Sequence, residues 1–155
     1  RRFTSVLTAS VSFTHLVTTS RMVLKVFSDG ASRGNPGEAG CGAVILDDKG
    51  QVIDEVCFYI GHATNNVAEY RAVLEAAKKA VLKSPSEINF YLDSELIVKQ
   101  MKGEYKVKNE NLAQIRLTLI NTLSGVKHSF NHVPRAQNSH ADKLANKAID
   151  NKVIL

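Results

Sequence analysis

Val23-Leu24-Lys25-Val26-Phe27-Ser28-Asp29-Gly30-Ala31-Ser32-Arg33-Gly34-Asn35-Pro36-Gly37 is the stretch from which the rest of the chain is read. Val23 to Ser28 has the apolar, branched character of a short buried strand. The glycine-rich run after it, through Gly42, reads as a loop, with Asp29 where the strand ends. A second strand is expected from about Cys41 to Leu46. The turn Asp47-Asp48-Lys49-Gly50 then returns the chain through Val52 to Ile60, giving an antiparallel meander.

Working outward, Val67, Tyr70, Leu74, Ala77 and Val81 step by helical spacing until Ser84-Pro85 stops them. Ile88 to Leu92 is a buried-type strand, and because a helix crosses over to reach it, it should lie parallel to an earlier strand. Asp93-Ser94 caps a short helix from Glu95 to Met101. Asn109 opens another, with Leu112, Ile115, Leu119 and Leu123 on one face before Gly125. A last strand, Lys127 to Val133, leads through Pro134 to a final helix from about Asn138 to Asn151. The order βββαβααβα specifies an α/β fold: one five-stranded mixed sheet with helices on both faces.

The chain has 155 residues, 44% apolar and 23% charged, enough for one domain that buries about two thirds of its unfolded surface. Its longest apolar run, Val56 to Ile60, falls far short of the roughly 20 residues that cross a bilayer. Cys41 and Cys57 lack the spacing of a zinc site or a disulfide scaffold and read as reduced thiols in a cytoplasm-like compartment. The net charge of +5 is concentrated at the start, in Arg1, Arg2 and Arg21, leaving 17 basic against 15 acidic groups beyond residue 21. Net charge alone therefore does not identify a nucleic-acid partner. Residues 1–21 read as an extension, either an organelle-type transit segment or an appended or translated upstream sequence. Ala9, Val11 and Phe13 alternate with polar residues there, the pattern of an edge strand. Residues 22–155 form the domain.

Four acids fall where chemistry would need them. Asp29 and Asp93 end two strands that the topology makes parallel neighbours, the place where α/β sheets bind ligands. Glu69 and Asp142 lie in the first turns of the helices that flank them. Each also has an ordinary explanation: a turn residue at Asp29, a capping-box partner of Asn66 at Glu69, a cap at Asp93, a helix-dipole acid at Asp142. Together, within about 5 Å, each ionised pair would repel by roughly 3 kcal/mol at an effective dielectric near 20. Divalent cations offset that cost, and oxygen-only donors favour magnesium or manganese over zinc. Two such ions about 4 Å apart can activate water and stabilise a leaving oxygen in phosphodiester cleavage.

Asp29-Gly30-Ala31-Ser32-Arg33-Gly34-Asn35-Pro36-Gly37, then Thr64-Asn65-Asn66 with Glu69, then Tyr91-Leu92-Asp93-Ser94, then Asn138 with Ala141-Asp142, resembles type 1 ribonuclease H over about Met22 to Asp150. The resemblance implies the ribonuclease H-like fold and an endonuclease that cuts the RNA strand of an RNA–DNA hybrid with two Mg2+ ions, Mn2+ being a substitute. It makes Asp29, Glu69, Asp93 and Asp142 the catalytic, metal-binding carboxylates. Asn35, Asn65 and Asn66 become minor-groove contacts to the hybrid, Thr64 part of a pocket for a DNA phosphate, and Arg135 a substrate-side cation. Where many members carry a mobile histidine, this chain reads Pro134-Arg135-Ala136-Gln137-Asn138-Ser139-His140, so either Arg135 or His140 stands near that place. There is no tryptophan; Lys99, Lys102, Lys106 and Lys108 around Tyr105 form a modest basic surface, and affinity should depend strongly on salt. Such protrusion-free sequences resemble a bacterial and archaeal subgroup associated with cleavage of double-stranded RNA, a second candidate substrate. The expectation is a monomeric, cytoplasmic hydrolase without membrane contact, organellar if residues 1–21 are a transit segment. The alternative is a non-catalytic nucleic-acid-binding module on the same fold.

Overall fold

The computed structural model describes residues 21–155. The proposed extension strand around Ala9 to Phe13 lies outside the described residues. Five strands, β1 (Val23–Gly34), β2 (Gly37–Leu46), β3 (Val52–Ala63), β4 (Glu87–Leu92) and β5 (Lys127–His132), form one sheet in the order β3-β2-β1-β4-β5. The β1, β2 and β3 strands pair antiparallel, while β4 pairs parallel with both β1 and β5. Four α-helices accompany it: α1 (Asn65–Val81), α2 (Glu95–Met101), α3 (Glu110–Thr122) and α4 (Ser139–Asn151), the last preceded by a 3-10 turn at Arg135–Asn138. No helix among the described residues is long and apolar enough to cross a membrane.

The first strands depart from the expected glycine-rich loop. β1 does not stop at Ser28 but runs to Gly34, and its ladder with β2 continues from Lys25↔Leu46 to Gly34↔Gly37. The ladder with β4 ends earlier, at Phe27↔Tyr91. Asp29 is therefore inside a strand, at the fork where β1 has left β4 behind. β3 likewise extends beyond Ile60 to Ala63.

The glycines in this hairpin serve the helices rather than a loop. A Cβ at Gly30 would lie 2.2 Å from both Ala68 C and Glu69 N of α1. Added at Gly40 it would lie 2.5 Å from Ala145 O, and at Gly42 2.2 Å from Ala141 O, both in α4. Gly30 opposes Cys41 in the ladder, and Cys41 Sγ contacts Ala68 O of α1 at 3.3 Å. Alternation along β2 thus sends Cys41 to the α1 face and its neighbours Gly40 and Gly42 to the α4 face. The two helices cover opposite faces of one hairpin, each in contact with bare backbone.

The core on the α1 face is built from Leu24 and Val26 of β1, Ile88, Phe90 and Leu92 of β4, and the inner stripes of α1 and α3. Phe90 and Phe130 stack at 5.3 Å between ring centroids, and the fully buried Tyr70 donates its hydroxyl hydrogen bond to Gln100 Oε1. The helical stripe read from Leu112, Ile115, Leu119 and Leu123 is buried as expected. Cys41 and Cys57 are not neighbours that can pair: Cys57 opposes Gly42 and contacts Leu144 O of α4 at 3.3 Å, on the other face from Cys41. Burial pushes the Cys41 thiol far above its ordinary range.

Replacing Gly42 by alanine forces α4 away from β2, because the obstacle is helix backbone that no rotamer change can move. The expected cost is about 2 kcal/mol of stability, measured by denaturant unfolding at constant m-value.

Candidate active site

Four elements converge beyond the carboxyl ends of β1 and β4. Asp29 projects from the fork in β1. Glu69 comes from the second turn of α1, which reaches β1 because Gly30 has no side chain. Asp93 follows β4 directly, and Asp142 is in the first turn of α4. The carboxylates of Asp29, Glu69 and Asp93 offer oxygens within 4.8 Å of one another. Asp142 stands outside that triad and is exposed, but it faces Asp29 and lines the same open cleft of about 530 Å³. The four acids therefore meet as a close three, two buried and Asp93 half-buried, with a fourth on the rim, rather than as one compact set.

The ordinary explanations fail for Glu69 and Asp93, while Asp142 does stand in the first turn of α4, where a helix dipole favours an acid. Thr64, not Asn66, caps α1: its Oγ1 accepts from Val67 N at 3.2 Å, so Glu69 has no capping-box partner in Asn66. Ser94, not Asp93, caps α2 by accepting from Ile97 N at 3.3 Å. Asp93 Oδ2 instead accepts from Asn138 Nδ2 at 3.0 Å. Glu69 Oε2 is buried with no hydrogen-bond partner among the described residues.

Electrostatics register the crowding. Burial is the largest cause lifting the Asp29 carboxyl from 3.8 to about 7, with the charges of Asp93 and Asp142 adding to it and a hydrogen bond with Glu69 opposing it. Burial also lifts Glu69 well above its ordinary range, reinforced by Asp29 and Asp93. Closely placed carboxylates in a low-dielectric site share protons unless a cation replaces them. An all-carboxylate donor set with an orphaned buried oxygen fits a hard divalent ion, and Asp29, Glu69 and Asp93 are the residues placed to hold one.

The remaining expected residues lie on the β1–β2 hairpin, at the start of α1 and in the segment before α4. Asn35, at the tip of the β1–β2 hairpin, accepts from Asn65 N at 3.2 Å through Oδ1, which joins the hairpin to the start of α1. Asn65, Asn66 and Arg135 line the cleft. Capping uses the acceptor side of the Thr64 hydroxyl and leaves its O–H free to donate. His140 is elsewhere, its Nε2 2.8 Å from Glu55 Oε2 against β3, so Arg135 occupies the loop position facing the acids. Lys99, in the last turn of α2, lies 5.1 Å from the Tyr105 ring centroid and pairs with Glu95 at 3.3 Å.

One residue had no role assigned from its sequence position. Asn138 is 1% exposed; its Nδ2 donates to Ser28 O at 2.9 Å as well as to Asp93, tying the turn before α4 to β1 and to the carboxylate. Its local signal was that of a helix cap, yet its side chain makes no capping bond.

Residues 27–148 match the protein-family model described as reverse transcriptase-like. A bifunctional protein of Mycobacterium tuberculosis is 42% identical over 131 residues, covering 83% of this chain and 36% of the relative. The solved N-terminal RNase H domain from that organism is similar at a TM-score of 0.80 and 41% identity, covering 83% of this chain and 99% of that domain. Ribonuclease HI of Halobacterium salinarum is 41% identical over 125 residues, covering 80% of this chain and 63% of the relative. LC11-RNase H1, solved in complex with an RNA/DNA hybrid, has a TM-score of 0.79 at 40% identity, covering 83% of this chain and 97% of that one. The chain thus spans little more than a third of the mycobacterial relative and less than two thirds of the archaeal one. A family match running from within β1 to within α4, on a sheet and helix arrangement shared with solved RNase H1 domains, makes the chain a member of the ribonuclease H family, in its type 1 branch.

Proposed function

We propose that this domain is a divalent-metal-dependent endonuclease that hydrolyses the RNA strand of RNA–DNA hybrids. The observation that carries the reading is the convergence of Asp29, Glu69 and Asp93 within 4.8 Å at an open cleft, with Asp142 on its rim. The hybrid-bound relative supports the substrate class.

Asp29, Glu69, Asp93 and Asp142 would hold two divalent ions, magnesium or manganese by their oxygen donors. When bound, such ions activate water and stabilise the oxygen leaving phosphorus. Asp29 adjoins each of the other three acids, so it is the carboxylate shared between the buried pair and the rim. Asn138 keeps the Asp93 carboxylate turned into the cleft. Asn35, Asn65 and Asn66 offer amide groups at the entrance, suited to the 2′-hydroxyls exposed in the shallow minor groove of an A-like duplex. The free O–H of Thr64 can donate to a backbone phosphate. Arg135 supplies the cation opposite the acids. All four carboxylates come from one chain, which supports a monomeric enzyme. Two thiols held on opposite faces of the sheet fit a reducing, cytoplasm-like compartment.

The test is cleavage of end-labelled RNA–DNA hybrid, double-stranded RNA and double-stranded DNA with magnesium, manganese or chelator, alongside Asp93→Asn. Metal-dependent cutting of the hybrid to 3′-hydroxyl and 5′-phosphate ends, reduced to background by Asp93→Asn, is the expected result; cutting of double-stranded RNA would widen the substrate range. Hybrid binding without cleavage under every metal condition would leave the binding module instead.

The raised carboxyl of Asp29 also predicts a pH dependence. Its folded value of about 7 exceeds its ordinary 3.8, so between those limits the metal-free fold retains a proton that the unfolded chain has released. Stability from this group is fully present below 3.8 and is lost as pH rises to about 7. Thermal unfolding in chelator should show that decline, Asp29→Asn should flatten it, and magnesium should restore stability at neutral pH in the unmodified protein.

A further inference from the structure

Asp142 differs from the other acids of the site. Asp29 and Glu69 are buried and Asp93 is half-buried, whereas Asp142 is exposed on α4, where packing does not fix its carboxylate. The side chain that donates to it is Asn146, one turn further along the helix. Asn146 Nδ2 lies 3.0 Å from the Asp142 main-chain oxygen and 3.3 Å from Asp142 Oδ1.

An amide can present either its oxygen or its NH2 to a carboxylate, and only the second is attractive. Arg33 selects it. Its guanidinium lies 3.5 Å from Asn146 Oδ1 and 3.4 Å from the Asn146 main-chain oxygen. The same guanidinium is anchored by Asp150 Oδ1 at 2.6 Å. A cation facing Oδ1 draws the amide oxygen to itself and leaves the NH2 turned toward Asp142.

Two periodicities produce this array. Asp142, Asn146 and Asp150 are four residues apart and stand on one face of α4. Arg33 follows Asp29 and Ala31 at alternate positions of β1, so the unexpected continuation of that strand carries its side chain to α4. Asn146 also lines the cleft that holds the acids.

We infer that Asn146 is a positioning residue for Asp142, oriented by Arg33 and Asp150, and that this array sets how tightly the rim side of the site holds a divalent ion. The inference rests on the reading of Asp142 as an ion-holding carboxylate. Exposed polar pairs contribute little to fold stability, so loss of the array appears in ion binding rather than in unfolding. Residues that orient a metal ligand typically change affinity or activity by 10-fold to 100-fold, and one that orients an exposed ligand belongs at about the lower end.

The experiment compares the unmodified chain with Asn146→Ala, Arg33→Ala, the double variant and Asp142→Asn. Calorimetric titration of the metal-free proteins with Mn2+ is one readout; kcat and KM on hybrid across magnesium concentrations, and the thermal midpoint, are the others. The expected result for Asn146→Ala is about tenfold weaker Mn2+ binding, a kcat that recovers at high magnesium, and an unchanged KM and midpoint. Arg33→Ala acts in the same direction by less, and the double variant is no worse than Asn146→Ala. If Asn146→Ala lowers the midpoint, Arg33→Ala carries the same test without altering α4. Wild-type Mn2+ binding and magnesium dependence in both single variants, with Asp142→Asn impaired, overturns the inference and leaves the proposed function standing. Wild-type behaviour of Asp142→Asn overturns the inference together with that acid's assignment. If the unmodified chain cleaves nothing, the proposed function fails and the Mn2+ titration alone decides the inference, an unchanged isotherm in Asn146→Ala overturning it.

Discussion

Close contact of helix backbone with strand backbone at Gly30, Gly40 and Gly42 is the constraint on which the site depends. A side chain at Gly30 would occupy the space of Ala68 and Glu69, and one at Gly42 the space of Ala141. Without side chains there, α1 and α4 settle onto opposite faces of the same hairpin. Each then carries an acid in its opening turns, Glu69 and Asp142, toward the point where β1 separates from β4. Asp29 is at that fork because the parallel ladder ends at Phe27 while the antiparallel one runs on to Gly34.

That geometry imposes an electrostatic burden. Packing around the fork buries Glu69 and Asp29 beside Asp93, which lifts both Asp29 and Glu69 toward the neutral form. Such crowding has no structural return in the metal-free protein and is the kind of strain that functional sites retain. The burden is graded across the site. Glu69 and Asp29 are held by burial, Asp93 by the hydrogen bond from Asn138, and Asp142 by a polar array on the helix surface. One cleft thus joins a rigid interior side to an adjustable rim.

Much of this is legible in the amino-acid order, and the places where the fold departs from local expectation share a cause. The stripes Tyr70–Leu74–Ala77 and Leu112–Ile115–Leu119 located two helices, and the Asp47 to Gly50 turn located a hairpin, because such signals act over a few residues. The glycine-rich run after Asp29 reads as a loop by local rules, since glycine weakens an isolated strand. In the folded protein it is strand, because its glycines answer to helices some 40 and 100 residues away along the chain. The capping role passed from Asn66 to Thr64 by a shift of the helix start. His140 was drawn to Glu55 and away from the acids by the rotation of α4, which no local signal encodes.

Element order, buried stripes and the identity of four acids are written in the amino-acid order, since periodicity, turn chemistry and charge are properties of neighbouring residues. That three of those acids draw within 4.8 Å of one another, two of them buried, while the fourth remains on the rim follows from tertiary packing alone. It likewise assigned Asn138 to Asp93 and Asn146 to Asp142, and placed the two thiols on opposite faces of the sheet. Those relations depend on strand register and on the separation between helix and sheet, which are set when distant segments pack.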